Sequence, residues 1–333
     1  MADTGTGMRA QSAMEYLINY SWALLILAVI FAALFALGVF GNPNPQFAQP
    51  GGCRVERVNG PGSTPQGLGG TCIGQLPLSV AKLDGLSSYA VLPAQNYSST
   101  MDEQSIGVWV YLNVMPIGAN VMPVLYQHSQ IPTGPNQYAT VGSEIYVDSN
   151  GNVIYKVSGS CGLVSCLHPS IPAVQVNGAV QANEWYYIFT TAATFVPGVT
   201  NSVSVCVTSS ASSVSCNSMT QVPLQAGGVQ NGYYTIGTDL GKSYSCTGYC
   251  YFDGYISNLQ IYDTVLSEAD ANSLYLEGIG GAPIDINHLI GWWPLNGNAN
   301  DYSGNEYSNT IAATSGNFVF SSVWYQTTKY KNP

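Results

Sequence analysis

Few side chains in this 333-residue chain are placed to do chemistry. The densest run of side-chain oxygen is Asn296-Gly-Asn-Ala-Asn-Asp-Tyr-Ser-Gly-Asn305. A hard cation takes six to eight such oxygens, and a turn of Asn and Gly spends the same groups on Asx hydrogen bonds. Glu268 and Asp270 share one turn of a predicted helix, where carboxylates suit the N-terminal end of the helix dipole. No Gly-x-Ser-x-Gly elbow and no Gly-x-x-x-x-Gly-Lys loop occurs. His128, His168 and His288 are isolated in sequence and no Cys-x2-Cys is present, which argues against zinc. The eight Cys fall into near neighbours: Cys53/Cys72, Cys161/Cys166, Cys206/Cys216 and Cys246/Cys250. Spacing alone does not fix their connectivity, and adjacent pairing is the simplest arrangement in an oxidising exterior. Asn96-Tyr-Ser98 is a glycosylation sequon; Asn19-Tyr-Ser21 also matches, inside an apolar segment.

One carboxylate stands in an unusual place. Glu15 immediately precedes Tyr16–Phe40, which has no charged residue and no Pro. That run makes roughly 37 Å of helix, enough for a bilayer core of about 30 Å. A carboxylate carried to mid-membrane costs about 2.5–3.5 kcal/mol, so Glu15 is a functional candidate.

Composition narrows the partners. Only 8% of residues are charged, against a typical ~25%, and Gly (36) and Tyr (23) are abundant. This is the profile of a β-rich extracellular protein with a neutral polar surface. A formal charge of −10 argues against nucleic acid. Low charge density and a pI near 4.4 suit an acidic habitat, and a crowded or glycosylated filament favours the same composition.

Periodicity shows what must position these groups. Gly41–Gly52 holds three Pro and three Gly, which stop the helix and form a partly stiff linker. Cys53–Cys72 reads as a disulfide-closed loop. In Ser105–Leu112, Ile106, Val108, Val110 and Leu112 share one face of a strand. Glu144–Val157 reads as two strands around Asn150-Gly151. Trp185–Thr191, Asn201–Thr208 and Tyr251–Tyr262 are further strands, the last entered through Asp253-Gly254. Ser267-Glu-Ala-Asp270 has capping-box spacing for a short helix that Gly278 ends. Many short strands between turns indicate a β-sandwich.

The head of the chain, Arg9-Ala10-Gln11-Ser12-Ala13-Met14-Glu15-Tyr16-Leu17, resembles the class III signal of archaeal type IV pilins. The resemblance covers about the first 40 residues. It implies cleavage between Ala10 and Gln11 by a prepilin peptidase at the cytoplasmic membrane. It also implies a helical homopolymer in which Glu15 pairs with the amino terminus, Gln11, of a neighbouring subunit. Ala10 stands where Gly is commoner, and Met8 is an alternative start to Met1.

Residues 76–325 resemble the laminin G-like, concanavalin A-like jelly-roll family. Phe252–Tyr275 is similar to its closing strand and short helix; Leu83–Pro93, Ile106–Leu112 and Asn183–Ile188 are similar to early and central strands. Gly291-Trp-Trp-Pro-Leu-Asn-Gly-Asn-Ala-Asn-Asp-Tyr-Ser-Gly-Asn305 is similar to the opening strand, but comes last, which suggests circular permutation. Related folds often hold a structural Ca²⁺ in that turn; here Asp301 would be the carboxylate, with Asn296 or Ser303 assisting. Retaining glycosidases of this fold use a Glu-x-Asp-x-x-Glu strand. Glu268-Ala-Asp-Ala-Asn-Ser273 lacks the second Glu, so no enzyme is expected. Glycan binding suits the fold, and Trp109, Trp185, Trp292 and Trp293 are each candidates for sugar stacking or for the core.

The expected protein is mainly β, a jelly-roll sandwich head on a pilin-type helical stem. Its segments are a leader (1–10), a transmembrane or filament-core helix (11–40), a linker and disulfide loop (41–75) and the sandwich (76–333). The expected role is a structural, adhesive filament subunit at the cell surface, inserted in the cytoplasmic membrane before assembly. The alternatives are a membrane-anchored glycan-binding protein that does not polymerise, and a secreted glycosidase.

Overall fold

In a computed structural model of the chain, the alternating segments are strands of two facing sheets. The structure describes residues 25–30, 53–57, 59, 63–70, 72, 77, 79–92, 103–118, 120–128, 130–134, 137–140, 142–158, 173–193, 202–209, 212–220, 233–238, 251–305 and 319–321. Two units divide the chain, Met1–Gln46 and Phe47–Pro333. In the first, residues 25–30 are α-helical and exposed (α1). The remainder of the expected 11–40 helix lies outside the described residues. Among those residues, no helix is long and apolar enough to cross a membrane.

The second unit is built from strands. In chain order they are β1 (Cys53–Glu56), β2 (Gly67–Gly70), β3 (Val80–Asp84), β4 (Ala90–Val91), β5 (Glu103–Leu112) and β6 (Val121–His128). Next come β7 (Gln130–Gly134), β8 (Gln137–Thr140), β9 (Gly142–Asp148), β10 (Val153–Ser158), β11 (Ala173–Val176) and β12 (Trp185–Ala193). Last are β13 (Ser202–Ser209), β14 (Ser212–Thr220), β15 (Tyr233–Ile236), β16 (Asp253–Tyr262), β17 (Leu289–Trp293) and β18 (Val319–Ser321). Helix α2 (Glu268–Glu277) lies between β16 and β17. The eight-stranded sheet has the order β14-β13-β12-β5-β16-β3-β18, with β17 also on β16; the six-stranded sheet is β11-β10-β9-β6-β15-β4. Pairs β1–β2 and β7–β8 form separate hairpins.

The larger sheet is covered on both faces. Along β5, Ile106, Val108, Val110 and Leu112 pack inward against Val124, Ile145, Tyr155 and Ile236 of the smaller sheet. The opposite phase, Trp109 and Tyr111, packs with Trp185, Tyr187 and Phe189 of β12 and with Leu274 and Tyr275 of α2. Hence nine consecutive residues of β5, Gln104–Leu112, are buried. Each large apolar side chain removed from water contributes about 1.5–3 kcal/mol. Helix α2 starts with a reciprocal capping box, Ser267 with Asp270, and ends at Gly278. The β9–β10 turn is fastened by Asp148 Oδ1, which accepts from the N–H groups of Asn150 (2.8 Å) and Asn152 (3.0 Å).

One expectation changes and one holds. The Cys53–Cys72 segment is not a bare loop: β1 and β2 pair in register, and Val55, only 3% exposed, joins the outer apolar cluster. The reason is that Val55 N–H donates to Tyr302 O (2.9 Å) while its side chain finds the outer face of the larger sheet. The segment therefore belongs to the head and not to a linker. The run carrying Trp292 and Trp293 is a strand of the larger sheet: β17 pairs antiparallel with the second half of β16 (Leu259↔Trp293), whereas β3 pairs with its first half (Ile256↔Ala81). β3 and β17 thus lie end to end along β16, and Asn296 Oδ1 accepts from Ser79 N–H (3.1 Å) at the junction.

Candidate functional site

Of the residues singled out in sequence, Ala10, Gln11, Glu15, Asn96, His168, Cys161, Cys166, Cys246 and Cys250 lie outside the described residues. Disulfides join Cys53 to Cys72 and Cys206 to Cys216, the latter directly cross-strand between β13 and β14. Glu268 approaches that second bridge, but bonded sulfurs are not metal ligands. Asp270 Oδ2 accepts from Ser267 N–H (2.8 Å) and Ser267 Oγ–H (2.7 Å), a helix cap with no catalytic partner among the described residues. His288 is exposed, with Nδ1 2.8 Å from Asp285 Oδ2; that hydrogen bond raises its pKa above the ordinary histidine value.

In the oxygen-rich turn, Asp301, Asn296 and Ser303, the expected cation ligands, hydrogen-bond within the protein. The turn's groups are spent on the free edge of β17. Asp301 Oδ1 accepts from the N–H groups of Trp292 (3.0 Å) and Ser303 (2.9 Å), and Asp301 Oδ2 accepts from Ser303 Oγ–H (2.7 Å). Asn305 Nδ2 donates to Leu289 O (3.1 Å) and Ile290 O (2.7 Å). Asn296 Oδ1 faces Ser79 instead. The turn closes a sheet edge, which would otherwise be open to pairing with another chain.

The four tryptophans are all buried: Trp109 2%, Trp185 6%, Trp292 2% and Trp293 0% exposed. Trp292 is fixed by a satisfied network. Its Nε1–H donates to Asn258 Oδ1 (2.8 Å), Asn258 Nδ2 donates to Gly281 O (2.9 Å), and Gln260 Nε2 also reaches Asn258 Oδ1 (3.1 Å).

Trp185 leads to a different arrangement. On the outer face of the larger sheet it stands in cross-strand register with Tyr111, and Tyr111 with Tyr255. Lys82 pairs with Tyr255 on the next strand. The Tyr111 ring lies 5.5 Å from Trp185 and 5.5 Å, edge-on, from Tyr255. Strands lie about 4.8 Å apart, so the aromatic row spans about 10 Å. Tyr255 is half-buried, so part of the row meets solvent.

Polar groups rim the row where its strands begin or end. Asn113, one residue past β5, donates Nδ2–H to Asp253 Oδ1 (2.7 Å). Asn183, exposed and left-handed (φ 66°), accepts from Tyr111 Oη–H through Oδ1 (3.5 Å) and donates its backbone N–H to Leu112 O (2.7 Å). Gly254 (φ 156°) lets β16 approach β5 so closely that a Cβ would lie 1.9 Å from Tyr111 O. That approach brings Asp253 beside Asn113. Burial raises the Tyr111 pKa, and burial with the nearby Tyr111 and Asp253 raises that of Tyr255. Both phenols therefore stay protonated donors. Trp185 and Tyr111 are buried beneath the row's edge and Tyr255 is its part-exposed ring, so Tyr255, with the amides and the carboxylate beside it, offers a sugar one aromatic face and groups for its hydroxyls.

The sequence reading did not find this row. Its signal was the second phase of the alternation: Trp109 and Tyr111, Trp185 and Tyr187, and Tyr255 all occupy outward positions of three neighbouring strands.

No protein-family model matches the chain, and no curated protein matches it. Among solved structures, it is similar to a heptameric SAP-like pentraxin from Limulus polyphemus (14% identity, TM-score 0.37, 60% of this chain and 86% of that one). It is also similar to the enzymatically active domain of tailspike protein 2 from bacteriophage CBA120 (16%, TM-score 0.40, 67% and 32%). A third is the CBM40 of the Ruminococcus gnavus IT-sialidase, bound to α2,3-sialyllactose (10%, TM-score 0.37, 60% and 98%). Likeness at this level bears on neither ligand nor site residues.

Proposed function

We propose that this chain is a cell-surface glycan-binding protein: a laminin G-like sandwich that presents the Trp185–Tyr111–Tyr255 row and is held at the membrane by the apolar stretch of residues 16–40. The observation that carries the reading is the row itself, three aromatics in register on adjacent strands with Asp253, Asn113 and Asn183 at its edge. The two disulfides fit an oxidising exterior. A net charge of −10 favours neutral over anionic sugars. The test is a glycan array probed with the full chain in detergent, beside its Tyr255→Ala variant. Binding to a discrete set of glycans, weakened about tenfold (about 1.4 kcal/mol) in the variant, supports the reading. No glycan bound, or equal binding by both proteins, counts against it.

A second reading rests on Ala10, Gln11 and Glu15. In it the anchored protein polymerises through its stem, so that the heads decorate a pilus-like filament and Glu15 neutralises a neighbour's amino terminus. Electron microscopy of surface filaments with mass measurement of the subunit tests it. A mature chain starting at Gln11 is expected; surface protein that keeps Met1 or Met8 overturns it.

A further inference from the structure

The interior of the sandwich is polar at the end opposite the aromatic row. Gln104, near the start of β5, reaches across from the larger sheet: its Nε2–H donates to Tyr234 Oη (2.6 Å), and its Oε1 accepts from Ser143 Oγ–H (2.6 Å). Ser143 Oγ is 3.3 Å from Tyr155 Oη, and Thr190 of β12 stands beside that hydroxyl. All five side chains are fully buried. Gln127 of β6 is the sixth. It is 0% exposed and in register with Tyr234; its neighbour Tyr126 is in register with Glu144, which follows Ser143. Gln127 therefore lies on the smaller sheet between the two hydroxyls that Gln104 bridges. Yet neither Gln127 Oε1 nor Nε2 has a protein partner, and Thr190 Oγ1 has only the Tyr155 hydroxyl beside it.

Two polar atoms without partners in an apolar core would each cost as much as a lost hydrogen bond. Turning the Gln127 amide end for end does not help, because its donor and its acceptor both lack partners. Buried water typically makes about three hydrogen bonds to such groups. We propose that the sandwich holds bound water between Gln127 and the Gln104–Ser143–Tyr155 chain, extending to Thr190, so that the two sheets are joined at this end by a hydrated polar seam and not by dry packing. This site is separate from the aromatic row and does not depend on glycan binding.

The test is a high-resolution crystal structure of the whole protein, paired with magnetic relaxation dispersion, which counts long-lived internal water. Water within hydrogen-bond distance of Gln127, with loss of about one long-lived water in Gln127→Met and a melting temperature not above wild type, supports the proposal. Thr190→Val is the second variant should Gln127→Met not fold, and it too should lose internal water. A seam with no water, or a Gln127→Met protein that melts higher because two unsatisfied atoms are gone, overturns it. A different small polar molecule in the seam also overturns it.

Discussion

Replacing Asn258 with Ala tests whether the C-terminal strand β17 is integral to the sandwich. Asn258 interrupts β16 where its partner changes from β3 to β17, in a left-handed conformation (φ 50°). Its side chain, on a residue 3% exposed, receives Trp292 Nε1–H and Gln260 Nε2–H and donates to Gly281 O. In Asn258→Ala the buried indole N–H has no acceptor, which costs about 1–3 kcal/mol. Gly281 O keeps only the 3.4 Å contact from Gln260. An Ala at this φ adds about 1–2 kcal/mol. The sum is about 2–5 kcal/mol, or roughly 5–15 °C in melting temperature for a domain of this size. Thermal and urea melts followed by tryptophan fluorescence read it directly. Asn258→Gly loses the same bonds without the backbone strain, so it should be milder than Ala by about 1 kcal/mol. An Ala variant within ~0.5 kcal/mol of wild type, or a Gly variant worse than Ala, would refute the reasoning.

Three more outcomes are expected. Gly254→Ala should destabilise the head by about 3 kcal/mol or more, because its Cβ has no room against Tyr111 O; a melt close to wild type would show that β16 can shift away from β5. Burial raises the Asp84 pKa, but hydrogen bonds from Ser87, Ser88 and Leu86 together hold it well below the usual carboxylate range. Because the folded pKa is the lower one, this stabilisation is full above an unfolded value of about 3.9 and is lost as pH falls toward the native value. Asp84→Asn should thus melt below wild type at pH 7 by about 1 kcal/mol, with the gap closing below about pH 4; a gap that widens in acid would contradict this. Non-reducing peptide maps should join Cys161 to Cys166 and Cys246 to Cys250, and free thiols or long-range links there would reject local pairing.

Much of the scaffold was legible in the sequence because burial on one face writes a period of two, as in Ile106–Leu112, and because Ser267, Asp270 and Gly278 are local signals for a helix. β17 was legible because two adjacent tryptophans have no stable place in a loose tail. The second role of the turn 296–305 was hidden for a physical reason: the oxygens that would bind a cation are the same ones that cap a strand edge, and only the position of β17 shows that they do so. The aromatic row was hidden differently. β5 is buried on both faces, so its alternation distinguishes two cores and does not distinguish core from surface. Which outward aromatics stay open depends on where α2 lies across the sheet, and that is a tertiary fact. The polar seam was illegible too, since Gln104 stands just before the alternating run Ser105–Leu112 and Gln127 lies in a segment, Val121–His128, with no strand signal of its own.

The central claim is that the sandwich binds glycan on the Trp185–Tyr111–Tyr255 row. It is tested most directly by ¹⁹F spectra of the full chain labelled with 3-fluorotyrosine, titrated with a glycan from the array. Assignments would come from single Tyr→Phe variants. The account predicts that the Tyr111 and Tyr255 resonances shift together and saturably while those of Tyr126 and Tyr146, on the smaller sheet, stay in place. Saturable shifts confined to Tyr126 and Tyr146, or binding with no shift at Tyr111 and Tyr255, would contradict it.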